Sequence, residues 1–186
     1  LILAISLLIR ILIFPFNVPL TIDALNNYFF YATDLSIAGH LTSGTVSSHD
    51  GWPIFLSFFF SIFKFDNFLA YMTLQRCITI ALSVLTIIPV YFLCKRFVER
   101  PYAVLGAAIF AFDPRIIQNS LLGITEPLYI LLLSFAFVLY FSSKNKLFYV
   151  SFALLGLASV IRAEALFAFL PMIAMFYIRN RKEGRI

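Results

Sequence analysis

Apolar residues run along this chain in blocks rather than in alternation, and polar residues collect in the short gaps between the blocks. Leu1 to Phe14, Pro53 to Phe63, Phe68 to Leu93, Tyr102 to Phe112, Thr125 to Phe141, Leu147 to Ile161 and Ala163 to Ile178 each read as helical. Pro15 and Pro19 stop the first of them. Phe68 to Leu93 is a full span by the rule that a helix needs about 20 residues to cross roughly 30 Å of hydrocarbon. Pro53 to Phe63 is too short to span and reads as an interfacial or half-inserted helix. The pattern predicts an all-α fold, a polytopic transmembrane helix bundle forming a single domain over residues 1–186. Within it, residues 16–67 form a first outer loop carrying interfacial amphipathic helices.

Composition sharpens this. The chain is 62% hydrophobic and 12% charged, too few charges to cover the surface of a soluble fold of its length. Its formal net charge of +5 does not point to nucleic acid, because the Lys and Arg residues fall in short clusters between apolar runs and not along one face. Topology accounts for them: Lys95, Arg96, Arg100, Lys144, Lys146, Arg179, Arg181, Lys182 and Arg185 fall in loops assigned to the inside. Asp23, Asp34, Asp50, Asp66, Asp113, Glu126 and Glu164 all fall outside, leaving Glu99 and Glu183 as the inner acids. Cys77 and Cys94 share one helix about 25 Å apart and cannot pair. The chain opens inside an apolar run without Met and ends in what resembles an inter-helix loop, so it reads as a fragment with further spans to follow.

The segments ending at Asp113 and Arg162 are shorter than a full crossing. With their inner ends pinned by the basic loops, their outer ends stop below the surface. Asp113, Arg115, Glu126, Arg162 and Glu164 are then expected in a hydrated recess open to the outside, since charge is not left against lipid.

The outer-loop stretch PLTIDALNNYFFYATDLSIAGHL is the least apolar part of the chain. At α-helical pitch Asp23, Asn27 and Asp34 fall within about 40° of one another, with Ala24, Leu25, Tyr28, Ala32 and Leu35 on the other side. This predicts an amphipathic helix at the interface whose polar stripe roofs the recess, although Phe30 and Ile37 interrupt the stripe. Acids on a wet helix face need no chemical purpose; Asp23 stands out because it lies near the helix start, where the dipole keeps a carboxylate ionised.

In LLGITEPLYILLL, Thr125 suits a helix cap and Pro127 the first turn, so Glu126 enters at a helix N-terminus, where dipole compensation alone would explain it. Arg162 and Glu164 in SVIRAEALF form either a local ion pair or a phosphate contact. Arg10 and Arg76 lie inside apolar runs and need partners, which suits a structural role better than a chemical one. His40, His49 and Asp50 make a weak metal-ligand signal, and the chain has no phosphate loop, CxxC pair or nucleophile elbow.

The order of these features resembles the start of the GT-C membrane glycosyltransferases. An apolar helix with a late Arg precedes an outer loop with Asp23, Tyr28, Ala32 and Gly39; then follow GWPIFLSFFF, FDP, ITEPLYILLL and ASVIRAEAL. The group most resembled is the dolichyl-phosphate-mannose protein mannosyltransferase-like enzymes, with the related lipid A aminoarabinose transferases. That family often shows Asp-Glu in this loop with Tyr four residues after the Asp, whereas this chain has Asp23-Ala24 and Tyr28 at five.

The resemblance implies an inverting transfer of a sugar from a polyprenyl (dolichyl) phosphate donor to an acceptor protein, glycan or lipid. The site would face the extracytoplasmic side of the plasma membrane or endoplasmic reticulum. It implies Asp23 as the catalytic base, Arg162 with Arg115 as the donor phosphate ligands, and Glu126, Asp34, Tyr28 and Glu164 as groups orienting the acceptor or a divalent metal. A metal is compatible with these residues and not required by them. The competing expectations are a transporter segment and a noncatalytic membrane subunit; membrane lipid is a partner in every case and nucleic acid in none.

Overall fold

The computed structural model describes residues 1–186 apart from 16–17, 40–49, 143–144 and 183–186. His40 and His49 therefore lie outside the described residues. Among those described, the regular structure is helical with no strand. In chain order it comprises α1 (Ile2–Leu12), α2 (Ile22–Ala24), a π turn (Leu25–Phe29), α3 (Phe30–Ala38), α4 (Gly51–Ile62), α5 (Phe68–Phe97), α6 (Arg100–Phe112) and α7 (Pro114–Leu122). It continues with α8 (Glu126–Tyr140), α9 (Asn145–Ile161), a 3-10 turn (Ala163–Ala165) and α10 (Leu166–Lys182).

Helix α5 is long and apolar enough to cross a membrane, and α1, α4, α6 and α8 are shorter apolar helices. It is the central post, with α6 and α8 packed along it and α1 and α7 against it. Asn67 starts α5 by accepting a hydrogen bond from the Leu69 amide at 2.5 Å, and Lys95 and Arg96 sit in its last turn, where cations suit the dipole. Helices α8 and α9 pair along their length over an aromatic core in which Phe148 stacks on Phe176 at 4.9 Å. The Tyr140 hydroxyl, at the far end of α8, donates to the Met172 carbonyl at 2.9 Å and so ties α10 to this pair.

Two buried arginines hold the loop side of the molecule together. Arg10 is fully buried and donates to the Ser6 hydroxyl, to the Ser6 carbonyl at 3.1 Å, Ala111 carbonyl at 3.2 Å, Ser120 hydroxyl at 3.2 Å and Ser83 hydroxyl at 3.1 Å. It thereby joins α1 to α5, α6 and α7. Arg76, on α5, donates to the carbonyls of Leu121 at 3.0 Å, Val18 at 2.5 Å, Pro19 at 2.9 Å and Pro15 at 3.5 Å. The segment that follows α1 and the end of α7 are thus fixed to the same point on the post. Guanidinium suits both places because its planar fork serves several carbonyls at once.

Helix α7 was not legible as a separate element in the apolar pattern, which stops at Phe112. Its signals are local: Asp113 accepts from the amides of Arg115 at 2.9 Å and Ile116 at 3.0 Å, Pro114 occupies the first turn, and Gly123 closes the helix at φ 75°. The Gly123 carbonyl then accepts from Gln75 Nε2 at 2.6 Å and from the buried Trp52 indole at 3.3 Å. A Cβ here would lie 2.9 Å from Leu20 Cδ2, so both backbone conformation and space select glycine.

The segment of residues 21–38 departs from the uniform amphipathic helix expected of it. The Thr21 hydroxyl accepts from the Ala24 amide at 3.4 Å to start α2, and the chain then passes through one π turn before α3. One extra residue in a turn sets everything beyond it back by about 100°, so Asp34 leaves the stripe shared by Asp23 and Asn27. Ala24, Tyr28, Phe29, Ala32 and Thr33 form the buried face. Phe29 meets Phe60 of α4 edge to face at 5.8 Å, and α4 buries Trp52, Leu56 and Phe60 in the same cluster. At the start of α4, Gly51 passes so close to α9 that an added Cβ would stand 2.9 Å from the Val160 carbonyl oxygen, which sets α4 beside the turn carrying Arg162.

Candidate functional site

Helix α9 ends at Ile161, and Arg162 leaves it in extended conformation before the 3-10 turn. Helix α8 begins at Glu126. Because α8 and α9 are paired antiparallel neighbours, the start of one lies beside the end of the other, and charges placed at those two chain points meet.

Arg162 Nη1 donates to Glu126 Oε1 at 2.6 Å, and its Nη2 and Nε grip Glu164 Oε1 at 2.8 Å and Oε2 at 3.4 Å. This is a forked guanidinium–carboxylate contact on one side with a second carboxylate on the other. The same Nη1 donates to the Thr125 hydroxyl at 3.3 Å, and that hydroxyl lies 3.3 Å from Glu126 Oε2. The guanidinium carbon stands 5.8 Å from the centre of the Tyr129 ring, within cation–π range. The side chains of Arg162 and Glu126 are 25% and 28% exposed and that of Glu164 is 50% exposed, so the cluster lies at an open rim with Glu164 outermost. The Glu164 hydrogen bond raises the Arg162 pKa, opposed by burial and helped by the Glu126 charge.

Behind the cluster, Glu126 lines a small cavity with Ser83, Thr86 and Asn119, closed by Phe110, Ile116, Pro127 and Ile130. Ser83 is also an acceptor for Arg10, so the rim and the buried arginine share a polar wall.

Tyr28 brings the segment between α1 and α4 to this rim. It is 8% exposed, and its phenol lies in the field of Asp23, Glu126 and Arg162. Burial raises its pKa most; hydrogen bonding with Thr125 works against that, the Asp23 and Glu126 charges add to it, and Arg162 again opposes it. The phenol is therefore protonated at neutral pH and remains a donor. Asp23 is exposed, and its Oδ1 accepts from Asn27 Nδ2 at 2.5 Å. The ion-pair partners of Arg162 among the described residues are Glu126 and Glu164, and both Asp23 and Arg162 act on the Tyr28 phenol.

Of the residues expected to converge, the fold gathers Glu126, Arg162, Glu164 and Tyr28, with Asp23 at the edge. Arg115 is exposed and Asp34 lies beyond the π turn, also exposed; neither shares an ion pair with the cluster among the described residues. Asp113 is engaged as the cap of α7. Thr125 was expected to cap α8, but its side chain makes no cap bond and serves Arg162 and Glu126 instead. Sequence reasoning missed Tyr129 and Asn27. Tyr129 had a usable signal, lying three residues after Glu126 on the same helix face. Asn27 was seen only as part of a polar stripe. Among the described residues no group of three His, Cys, Asp or Glu side chains is placed to hold a metal ion.

A family model described as dolichyl-phosphate-mannose-protein mannosyltransferase matches residues 51–186. No curated protein and no solved structure matches the chain.

Proposed function

The chain belongs to the dolichyl-phosphate-mannose-protein mannosyltransferase family, a glycosyltransferase type of membrane enzyme, and from that premise we propose that it carries the part of such an enzyme that meets donor phosphate and acceptor. In this reading the shorter apolar helices cross the membrane together with α5 in a polytopic bundle, basic loops inside and acidic loops outside, and residues 16–67 form the outer loop. The rim at Glu126, Arg162 and Glu164 then faces the extracytoplasmic side. The donor is a polyprenyl-phosphate sugar, with mannose or another hexose as the group transferred.

Asp23 takes the proton from the acceptor hydroxyl as its oxygen attacks the anomeric carbon; the bond from that carbon to the phosphate oxygen breaks, and the configuration inverts. The negative charge growing on the departing phosphate is met by Arg162. Glu126 and Tyr129 hold Arg162 in place from the helix side, while Glu164, half exposed, is the partner that the phosphate displaces. Tyr28, buried and protonated, offers its hydroxyl to the acceptor or the sugar. Asp34 and Arg115 take no part in this arrangement.

One observation carries the reading: a guanidinium tied to carboxylates on both sides at an exposed rim, with a loop tyrosine and an ionisable loop carboxylate brought up to it. The test uses the full-length protein in liposomes with a radiolabelled polyprenyl-phosphate sugar. Wild type transfers label to an acceptor and Asp23→Asn loses at least a hundredfold in rate; equal transfer by the two removes Asp23 from the role of base.

A further inference from the structure

The π turn Leu25–Phe29 begins two residues after Asp23 and contains both Asn27 and Tyr28. Counted at α pitch, the buried Ala24, Tyr28, Phe29, Ala32 and Thr33 would spread over about 180°. With one residue absorbed in the π turn they close up to about 140°, a narrower face that stays against α4 and the rim. The extra residue appears on the outside, where the sequence carries the two exposed amides Asn26 and Asn27. Of these, Asn27 bonds Asp23 Oδ1 at 2.5 Å, while its neighbour Tyr28 turns inward toward Thr125.

We propose that Asn27, one helical turn after Asp23, is a positioning residue for it, holding the carboxylate from the exposed side, and that the π turn lets the chain carry this exposed amide while Tyr28 and Phe29 both stay on the buried face. A carboxylate alone on an exposed helix rotates freely between staggered rotamers. Held at one oxygen by the Asn27 amide, it presents the other to an approaching hydroxyl in a fixed direction, which is where orientation lowers a barrier. An exposed side-chain pair one turn apart adds only about 0.2–0.5 kcal/mol to a helix, so the bond is unimportant for holding the fold. Its loss should show in rate. The inference rests on Asp23 being the base.

The experiment compares full-length wild type, Asp23→Asn, Asn27→Ala, Asn27→Gln and a deletion of Asn26, each in liposomes with a radiolabelled polyprenyl-phosphate sugar and each followed by thermal unfolding. Asn27→Ala should lower kcat about tenfold with donor KM within twofold of wild type and no change in unfolding midpoint. Asn27→Gln, which keeps an amide donor in reach, should recover most of the lost rate. Deleting Asn26 turns the π turn into an ordinary α turn and leaves the buried face aligned, so that variant should fold with a midpoint within a few degrees of wild type. A deletion variant that fails to fold overturns the role given to the π turn. Full activity in Asn27→Ala beside an inactive Asp23→Asn overturns the positioning role and leaves the base in place. Inactive wild type, or an Asp23→Asn as active as wild type, removes the base and the positioning role together.

Discussion

Arg10 and Arg162 are both arginines among apolar helices, and the difference between their surroundings separates structure from chemistry in this molecule. Arg10 is fully buried and donates to hydroxyls and carbonyls of Ser6, Ser83, Ala111 and Ser120, none of them charged. Arg76 repeats the pattern with four carbonyls. Arg162 is a quarter exposed and held by two carboxylates. A guanidinium enclosed by fixed dipoles cannot exchange them without opening the protein. One paired with mobile carboxylates at a rim exchanges a partner for an incoming anion at little net cost, since one charge-assisted contact replaces another. The first kind ties helices together; the second kind is available to a phosphate.

The most severe way to probe the contrast is Arg10→Ala. It removes the donor that the buried Ser83 and Ser120 hydroxyls accept from and opens a hole between α1, α5 and α7, for an expected loss on the order of 3 kcal/mol, read as a large fall in unfolding midpoint and in recovered protein. Arg162→Gln should leave the midpoint nearly unchanged, because partly exposed ion pairs contribute about 0–1 kcal/mol. Next in size is Gly123→Ala, which puts a side chain at φ 75° and 2.9 Å from Leu20 and so disturbs the link from α7 to Glu126; about 1–2 kcal/mol of destabilisation is expected in the same measurement.

Glu164→Gln sharpens the comparison from the other side. It removes the competitor for Arg162 without unfolding anything, so the KM for the polyprenyl-phosphate donor should fall a few-fold; an increase would show that Glu164 supports the phosphate site. The smallest effect concerns Tyr28. Its folded pKa lies above the ordinary 10.0, so as pH rises past 10 the unfolded chain releases this proton before the folded one does, and stability falls from there upward. Tyr28→Phe should lose less stability than wild type as pH is raised through the alkaline end of the titration, read from unfolding midpoints at successive pH values.

Much of this arrangement was readable from residue order. The helical blocks, the need of Arg10 and Arg76 for partners, and the meeting of Glu126 with Arg162 and Glu164 all follow from burying apolar runs and refusing to bury charge alone. What escaped was decided by single residues. The π turn leaves no trace in hydrophobic periodicity, because a one-residue excess inside a fourteen-residue segment is smaller than the scatter of apolar positions such as Phe30 and Ile37. It displaced Asp34 from the stripe on which Asp23 and Asn27 remain together. Helix α7 escaped because its pattern mixes Arg115, Gln118 and Asn119 with only a few apolar positions, and only the Asp113-Pro114 start and Gly123 end mark it. Arg115 was expected beside Arg162 because both follow short apolar runs, yet its place in the first turn of α7 leaves it exposed.

The claim that Arg162 is the exchangeable arginine is tested most directly by equilibrium binding of a short-chain polyprenyl phosphate to the full-length protein, comparing wild type, Arg162→Gln and Arg115→Gln by titration calorimetry. The account predicts at least a tenfold loss of affinity in Arg162→Gln, with Arg115→Gln close to wild type and both variants folded. Unchanged affinity in Arg162→Gln would contradict it.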